Sequence, residues 1–233
     1  MNEILEKYLK SAGLERSAEK LEKYMDLVLA YNEHVNLTAI REKDEFVVKN
    51  IIDSLCVISD KRYEDARKII DVGTGAGLPG IPLAIASPDK EFVLMDSLAK
   101  RVKIIDDIVD ELCISNVKAV HYRAEDMAHE IEYREKFDIC VSRAVSHLSV
   151  LTEYCLPFVR KDGYFVSYKG SEFEEEADSA ANALKILGGK IESAERGLMS
   201  SYGLSHTLIF IKKVKQTPAK YPRKAGTPRR NPL

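Results

Sequence analysis

Residues Arg67 to Ala86 read RKIIDVGTGAGLPGIPLAIA. Ile69, Ile70, Asp71 and Val72 have strand character, Gly73 to Gly80 form a glycine-rich turn, and Ile81 to Ala86 have helix character. A short apolar run that breaks into closely spaced glycines and then a helix lets the backbone approach a ligand without Cβ obstruction, with the first helical N–H groups facing it. The stretch therefore predicts a small-ligand site at the carboxyl end of a first strand.

The spacing admits two ligands. Gly75, Gly77 and Gly80 satisfy the dinucleotide pattern G-x-G-x-x-G, which alone is a weak signal. Asp71, Gly73, Gly75 and Gly77 satisfy acid-x-G-x-G-x-G, which resembles the cofactor loop of S-adenosylmethionine-dependent methyltransferases with a Rossmann-like sheet. A purely structural turn is the third possibility.

Downstream, Phe92 to Met95 reads as a second strand ended by Asp96, 19 residues after Gly77. A carboxylate at that place holds ribose hydroxyls in doubly wound folds, for NAD and S-adenosylmethionine alike. A helix follows from about Leu98 to Leu112, with Lys100, Arg101 and Lys103 near its start, against the helix dipole unless an anion lies nearby. Val117 to His121 is the third strand. The loop Arg123 to Asp126, with Ala124 and Glu125, falls where an adenine edge would be read. Phe137 to Val141 is the fourth strand and runs into Arg143, whose permanent charge needs an anionic or carbonyl partner. A helix from His147 to Val159, a turn at Lys161 to Gly163 and a fifth strand from Tyr164 to Tyr168 come next, the strand ended by Lys169.

A helix is expected from Phe173 to Leu187, closed by Gly188 and Gly189. Lys190 to Glu195 and Ser205 to Val214 have no helix between them and must pair antiparallel. That hairpin departs from the dinucleotide fold and matches the methyltransferase one. The fold class expected is α/β: a Rossmann-like, class I methyltransferase sheet of seven strands, mostly parallel, with a C-terminal antiparallel hairpin. Ahead of it, Leu5, Leu9, Leu21, Tyr24, Leu27, Val28 and Tyr31 recur at helical spacing, and Phe46 to about Ile58 suggests a third helix, so residues 1–66 read as a helical cap. Residues 67–215 would be the cofactor-binding core and 216–233 a basic, proline-rich tail.

At 233 residues, 45% apolar and 31% charged, the chain reads as globular, with no apolar run near the roughly 18 residues of a membrane span and no secretory start. Cytosol is the expected location. Cys56, Cys113, Cys140 and Cys155 form no C-x-x-C pair and read as buried free thiols, and the five histidines form no metal-binding array, so no metal is expected. Eight of the 35 Lys and Arg lie after Phe210 with no acid among them, which leaves 27 basic against 37 acidic side chains in the rest of the chain. A basic tail on an acidic body suggests a polyanion contacted locally, and four of the eight prolines in that tail mean it would order only on a surface.

The pieces Asn36-Leu37-Thr38, Asp53-Ser54-Leu55, Asp71 to Pro82, Lys100-Arg101, Arg123-Ala124-Glu125, Ser142 to Val145, Lys169-Gly170, Thr217-Pro218 and Tyr221-Pro222-Arg223 occur in this order across almost the whole chain. Together they closely resemble the bacterial small-subunit ribosomal RNA guanine-N7 methyltransferases, historically called glucose-inhibited division protein B. The resemblance implies methyl transfer from S-adenosylmethionine to N7 of a guanine in small-subunit ribosomal RNA, free or in the assembling subunit, by a cytoplasmic monomer that needs neither membrane nor metal. It implies cofactor contacts at Gly73, Leu78, Ala124, Glu125 and Arg143, to which the residue reading adds Asp71, Gly75, Gly77 and Asp96. Arg143 and Lys169 are the expected catalytic pair, with Lys100, Arg101 and the tail on RNA phosphates. One departure is Asn50, where the family commonly has histidine. An NAD-dependent Rossmann-fold enzyme and a non-catalytic RNA-binding protein remain the rivals.

Overall fold

A computed structural model describes residues 2–143, 146–170, 174–196 and 200–233. Seven strands form one sheet: β1 (Lys68–Val72), β2 (Glu91–Asp96), β3 (Val117–His121), β4 (Phe137–Ser142), β5 (Val159–Lys169), β6 (Gly189–Arg196) and β7 (Thr207–Lys213). Their order is β3-β2-β1-β4-β5-β7-β6, with β7 antiparallel to both β5 and β6 and every other pair parallel. The order reverses between β1 and β4, so the loops after these two strands diverge and leave a crevice at the carboxyl edge.

Alternation along the strands sorts the core onto two faces. Ile69 of β1, Ile139 and Val141 of β4 and Phe210 of β7 pack on one side, together with Leu5, Leu21, Tyr24, Val28, Phe46 and Ile51 of the N-terminal helices. Ile70, Cys140 and Ile211 pack on the other with Leu148, Leu151 and Leu184. The cap thus covers one sheet face and shares its core, and Tyr24 Oη donates to the glycine loop at Ala76 O, 2.9 Å away.

Local chemistry explains where the helices start and stop. Asn2 caps Glu3–Ala12 by accepting from the N–H groups of Ile4 and Leu5, and Gly13 at φ 69° ends it. The third helical run begins at Lys43, earlier than its apolar pattern suggests, and ends at Leu55. It widens to π-helical geometry over Val47–Ile52, a device common beside functional sites.

Three further expectations are revised. Lys161 to Gly163 is no free turn but a bulge inside β5: the register with β4 jumps from Phe137↔Val159 to Ile139↔Tyr164, and Asp162 takes φ 66°. The helix expected to Val159 ends with a tight turn at Leu156–Phe158. The helix expected from Phe173, a residue outside the described ones, is two short helices, Glu174–Ser179 and Ala181–Leu187. Of the cysteines, Cys140 and Cys155 are buried, whereas Cys113 is exposed and Cys56 half-buried.

Candidate active site

The loop after β1 is shaped by the acid that precedes it. Asp71 is fully buried, and its Oδ2 accepts from Thr74 Oγ1 at 2.7 Å and from Gly80 N–H at 2.9 Å, which ties the two ends of the turn together. Burial pushes its pKa up to about 7, with the Thr74 and Gly80 hydrogen bonds opposing the rise. Its Oδ1 is buried with no partner. Between these anchors Gly73, Gly75 and Gly77 all have positive φ, 76°, 60° and 92°, so side chains would strain the turn.

Asp96 closes β2 as expected. Its Oδ2 accepts from Gly75 N–H at 3.0 Å and from Arg101 Nη1 at 3.4 Å, and its Oδ1 from Leu98 N–H at 2.9 Å, so Oδ1 keeps a lone pair for a ligand. The contact with Arg101 supplies the anion that the basic start of its helix requires.

Two cavities open along the carboxyl edge. The first, ≈ 500 Å³, is lined by Gly73, Asp96, Arg101, Ala124 and Glu125, and also by Tyr154, Gly226 and Arg229. Tyr154 has its pKa pushed up to about 12 by burial and the nearby Glu125 and Glu153 carboxylates. Of the expected cofactor residues, Gly73, Asp96, Ala124 and Glu125 meet here. Asp71, near the end of β1, and Gly75, Gly77 and Leu78, in the turn after it, do not line this cavity. Sequence reasoning missed Tyr154 and Arg229.

The second cavity, ≈ 480 Å³, is lined by Arg143, His147, Tyr168, Lys169, Glu176 and His206; Ser146 borders both. Arg143 lies here rather than in the first cavity. Its guanidinium reaches back to the cap, donating to Lys49 O at 2.7 Å, to Asn50 Oδ1 at 2.7 Å and to Asp53 Oδ2 at 3.2 Å. Two of its five N–H donors stay unengaged among the described residues. Asn50, at the family's histidine position, thus accepts from Arg143, while its own Nδ2 is buried without a partner. Asp53 is itself buried, and its Oδ1 lies 2.7 Å from His206 Nδ1, a contact that raises the His206 pKa. His206 was not singled out from the sequence, because nothing local distinguishes it. Lys169 donates to Ser146 O and, at 2.6 Å, to Glu176 Oε2, which also accepts from Leu148 N–H at 2.8 Å.

The residues of the first cavity suit S-adenosylmethionine. Gly73 brings side-chain-free backbone to the wall, Asp96 and Glu125 bring carboxylates that can still accept a hydrogen bond, and the volume falls within the range of small-ligand pockets. Among the described residues, no group of three or more His, Cys, Asp or Glu is arranged to hold a metal. No helix among them is long and apolar enough to cross a membrane.

Solved structures share this architecture. The antibiotic-resistance methyltransferase Kmr superposes with a TM-score of 0.51 at 17% identity, over 64% of this chain and 87% of that one. The M. jannaschii protein TYW2, in complex with AdoMet, superposes at 0.53 with 16% identity, over 71% and 76%. The fold is therefore that of the methyltransferases that draw on S-adenosylmethionine. The model of the family described as rRNA small subunit methyltransferase G matches residues 17–199. "Ribosomal RNA small subunit methyltransferase G" of Clostridium botulinum (strain ATCC 19397 / Type A) is 45% identical over 94% of this chain and 92% of its own length. The protein of the same name from Lachnoclostridium phytofermentans is 44% identical over 97% and 94%. The chain belongs to the rRNA small subunit methyltransferase G family.

Proposed function

We propose that this protein transfers the methyl group of S-adenosylmethionine to N7 of a guanine in small-subunit ribosomal RNA. Residues 1–66 would serve as cap and 67–215 as the catalytic core, acting as a cytoplasmic monomer. The observation that carries the reading is the pair of cavities bordered in common by Ser146, one suited to the donor and the other lined by Arg143, Lys169 and His206.

The cofactor supplies a methyl group on a sulfonium: the N7 lone pair forms the new N–C bond while the S–C bond breaks, leaving a thioether and a cationic guanine ring. N7 carries no proton at neutral pH, so the protein needs no general base, and its task is orientation and electrostatics. In this reading Gly73 and the turn set the donor's methionine end, Asp96 takes the ribose hydroxyls and Glu125 the adenine edge. Arg143 offers its unengaged N–H groups to the guanine O6 or a flanking phosphate, and Lys169 adds a second cation at the rim. The Asp53 and Glu176 carboxylates hold these two cations in place.

The test is transfer from S-adenosylmethionine labelled in the methyl group to small-subunit ribosomal RNA, followed by nuclease digestion. Label in N7-methylguanosine, strongly reduced in Arg143→Ala, is expected. Label on another base or on ribose would overturn the assignment. Binding of RNA without transfer would favour the non-catalytic rival, and a calorimetric response to NAD rather than S-adenosylmethionine would favour the NAD-dependent Rossmann-fold rival.

A further inference from the structure

The basic C-terminal segment is fastened to the body by a series of specific bonds. Arg134 donates to four carbonyls: Ala128 O (2.8 Å) in the body, and Thr217 O (3.0 Å), Pro218 O (3.2 Å) and Tyr221 O (2.9 Å) in the segment. Thr217 N–H donates to Glu135 Oε1 at 2.8 Å and its hydroxyl to Leu187 O at 2.8 Å.

The decisive anchor is Glu153, a carboxylate with no solvent exposure. Arg223 donates to it from Nε (3.0 Å to Oε1), from Nη2 (2.7 Å to Oε2) and from its backbone N–H (2.8 Å to Oε1). A buried carboxylate without a cation is costly, so this pair fixes Arg223 in position. Three residues on, Gly226, at φ 79°, turns the chain and donates its N–H to Glu125 Oε1 at 2.9 Å. Three more residues bring Arg229 to the wall of the first cavity beside Tyr154 and Glu125. No hydrogen bond engages Arg229 among the described residues, so its planar donor fork is available to a ligand.

We infer that residues 216–230 are a cofactor-binding strap, in which Arg229 contacts the adenosine half of S-adenosylmethionine while Gly226 holds Glu125 ready for the adenine edge. The inference rests on the reading of this cavity as the cofactor seat. It gives the segment a different role from the RNA contact that its charge alone suggests. A guanidinium plane lying on a purine or donating to it is a contact that lysine reproduces only in part.

Calorimetric titration of the full-length protein with S-adenosylmethionine and with S-adenosylhomocysteine tests this, using wild type, Arg229→Ala, Arg229→Lys and Asp96→Asn. Arg229→Ala is expected to weaken both ligands equally, by about tenfold, because both carry the adenosine half. Arg229→Lys should recover part of the loss, and since Arg229 is exposed, neither variant should shift the unfolding temperature. Wild-type affinity in Arg229→Ala overturns the inference, as does a loss confined to one of the two ligands or a loss of ribosomal RNA affinity with cofactor affinity intact. Unchanged affinity in Asp96→Asn would instead remove the cavity reading itself, so the two failures are distinguishable.

Discussion

The two cavities on either side of Ser146 are built by opposite means. The first is founded on strand ends: Gly73 opens the positive-φ turn after β1 and Asp96 closes β2 with bonds to N–H groups, while Glu125, Tyr154 and Arg229 complete its wall. The second is made of long side chains whose partners come from far along the chain. Asp53 joins Arg143, 90 residues away, to His206, 153 residues away. A ligand of fixed shape is met by rigid backbone, which is preorganised by the fold itself. In the proposed function a large polyanion would be met by cations held against carboxylates, whose charge is partly balanced until phosphate or a base edge competes for it. The difference predicts that lesions in one cavity leave the other's ligand largely untouched.

Asp53→Asn tests that separation most severely. The substitution keeps the volume but removes the charge that holds both Arg143 and His206. Methyl transfer to ribosomal RNA should fall roughly 10- to 100-fold, the usual consequence of misplacing a substrate-orienting group. Affinity for S-adenosylmethionine, measured calorimetrically, should stay within about twofold, since Asp53 does not line the first cavity and its side chain bonds to Arg143 and His206, which do not line it either. An equal loss of both would show that the cavities are not independent.

The same contrast governs how much of the molecule was legible in the sequence. The glycine turn, Asp96 and the Ala124-Glu125 loop could be read because each lies within a few residues of a strand end, and a parallel sheet brings its strand ends to one edge. The antiparallel β6–β7 pair followed from the absence of a helix between them. Arg143 was correctly seen to need an anionic or carbonyl partner, but the sequence could not show that Asp53 and Lys49 of the cap supply it. Arg229 was hidden for a similar reason. Its place follows from Arg223 meeting Glu153 across 70 residues, and local patterning says nothing about which arginine a buried glutamate will take. The π-helical turn that carries Asn50 likewise leaves no mark on the apolar spacing.

On the first-cavity side, Gly80→Ala sharpens the comparison with a smaller effect. A Cβ there would lie 2.8 Å from Asp71 Oδ2 and 2.8 Å from Leu94 Cγ, both in the packed interior, so the carboxylate that ties the turn would have to move. Overpacking of this kind costs roughly 1–3 kcal/mol, visible as a lower midpoint in urea or heat. Cofactor affinity should drop in the folded fraction, whereas ribosomal RNA affinity should not. A wild-type midpoint would mean that the glycine is dispensable and that Asp71 does not fix the turn.

The smallest effect concerns pH. The hydrogen bond that His206 Nδ1 donates to Asp53 raises the His206 pKa above its ordinary value, against opposing contributions from burial, Arg143 and Lys49. The folded state therefore binds the imidazole proton more tightly than the unfolded one does. This stabilisation is complete below about pH 6.5, the unfolded value, and is lost as pH rises through the folded one. With 42% of the His206 side chain exposed, solvent screening limits the contribution to under about 1 kcal/mol. Asp71, its pKa raised to about 7, also loses stabilisation with rising pH, so the slope of wild type alone cannot separate the two cavities. The difference between wild type and His206→Gln can, because Asp71 titrates in both and cancels. Unfolding free energies measured near about pH 5 and again near about pH 8.5 should show wild type ahead at the lower pH and the gap closed at the higher. A gap that does not change with pH would mean that the Asp53–His206 contact carries no charge, and that Arg143 alone answers the buried carboxylate.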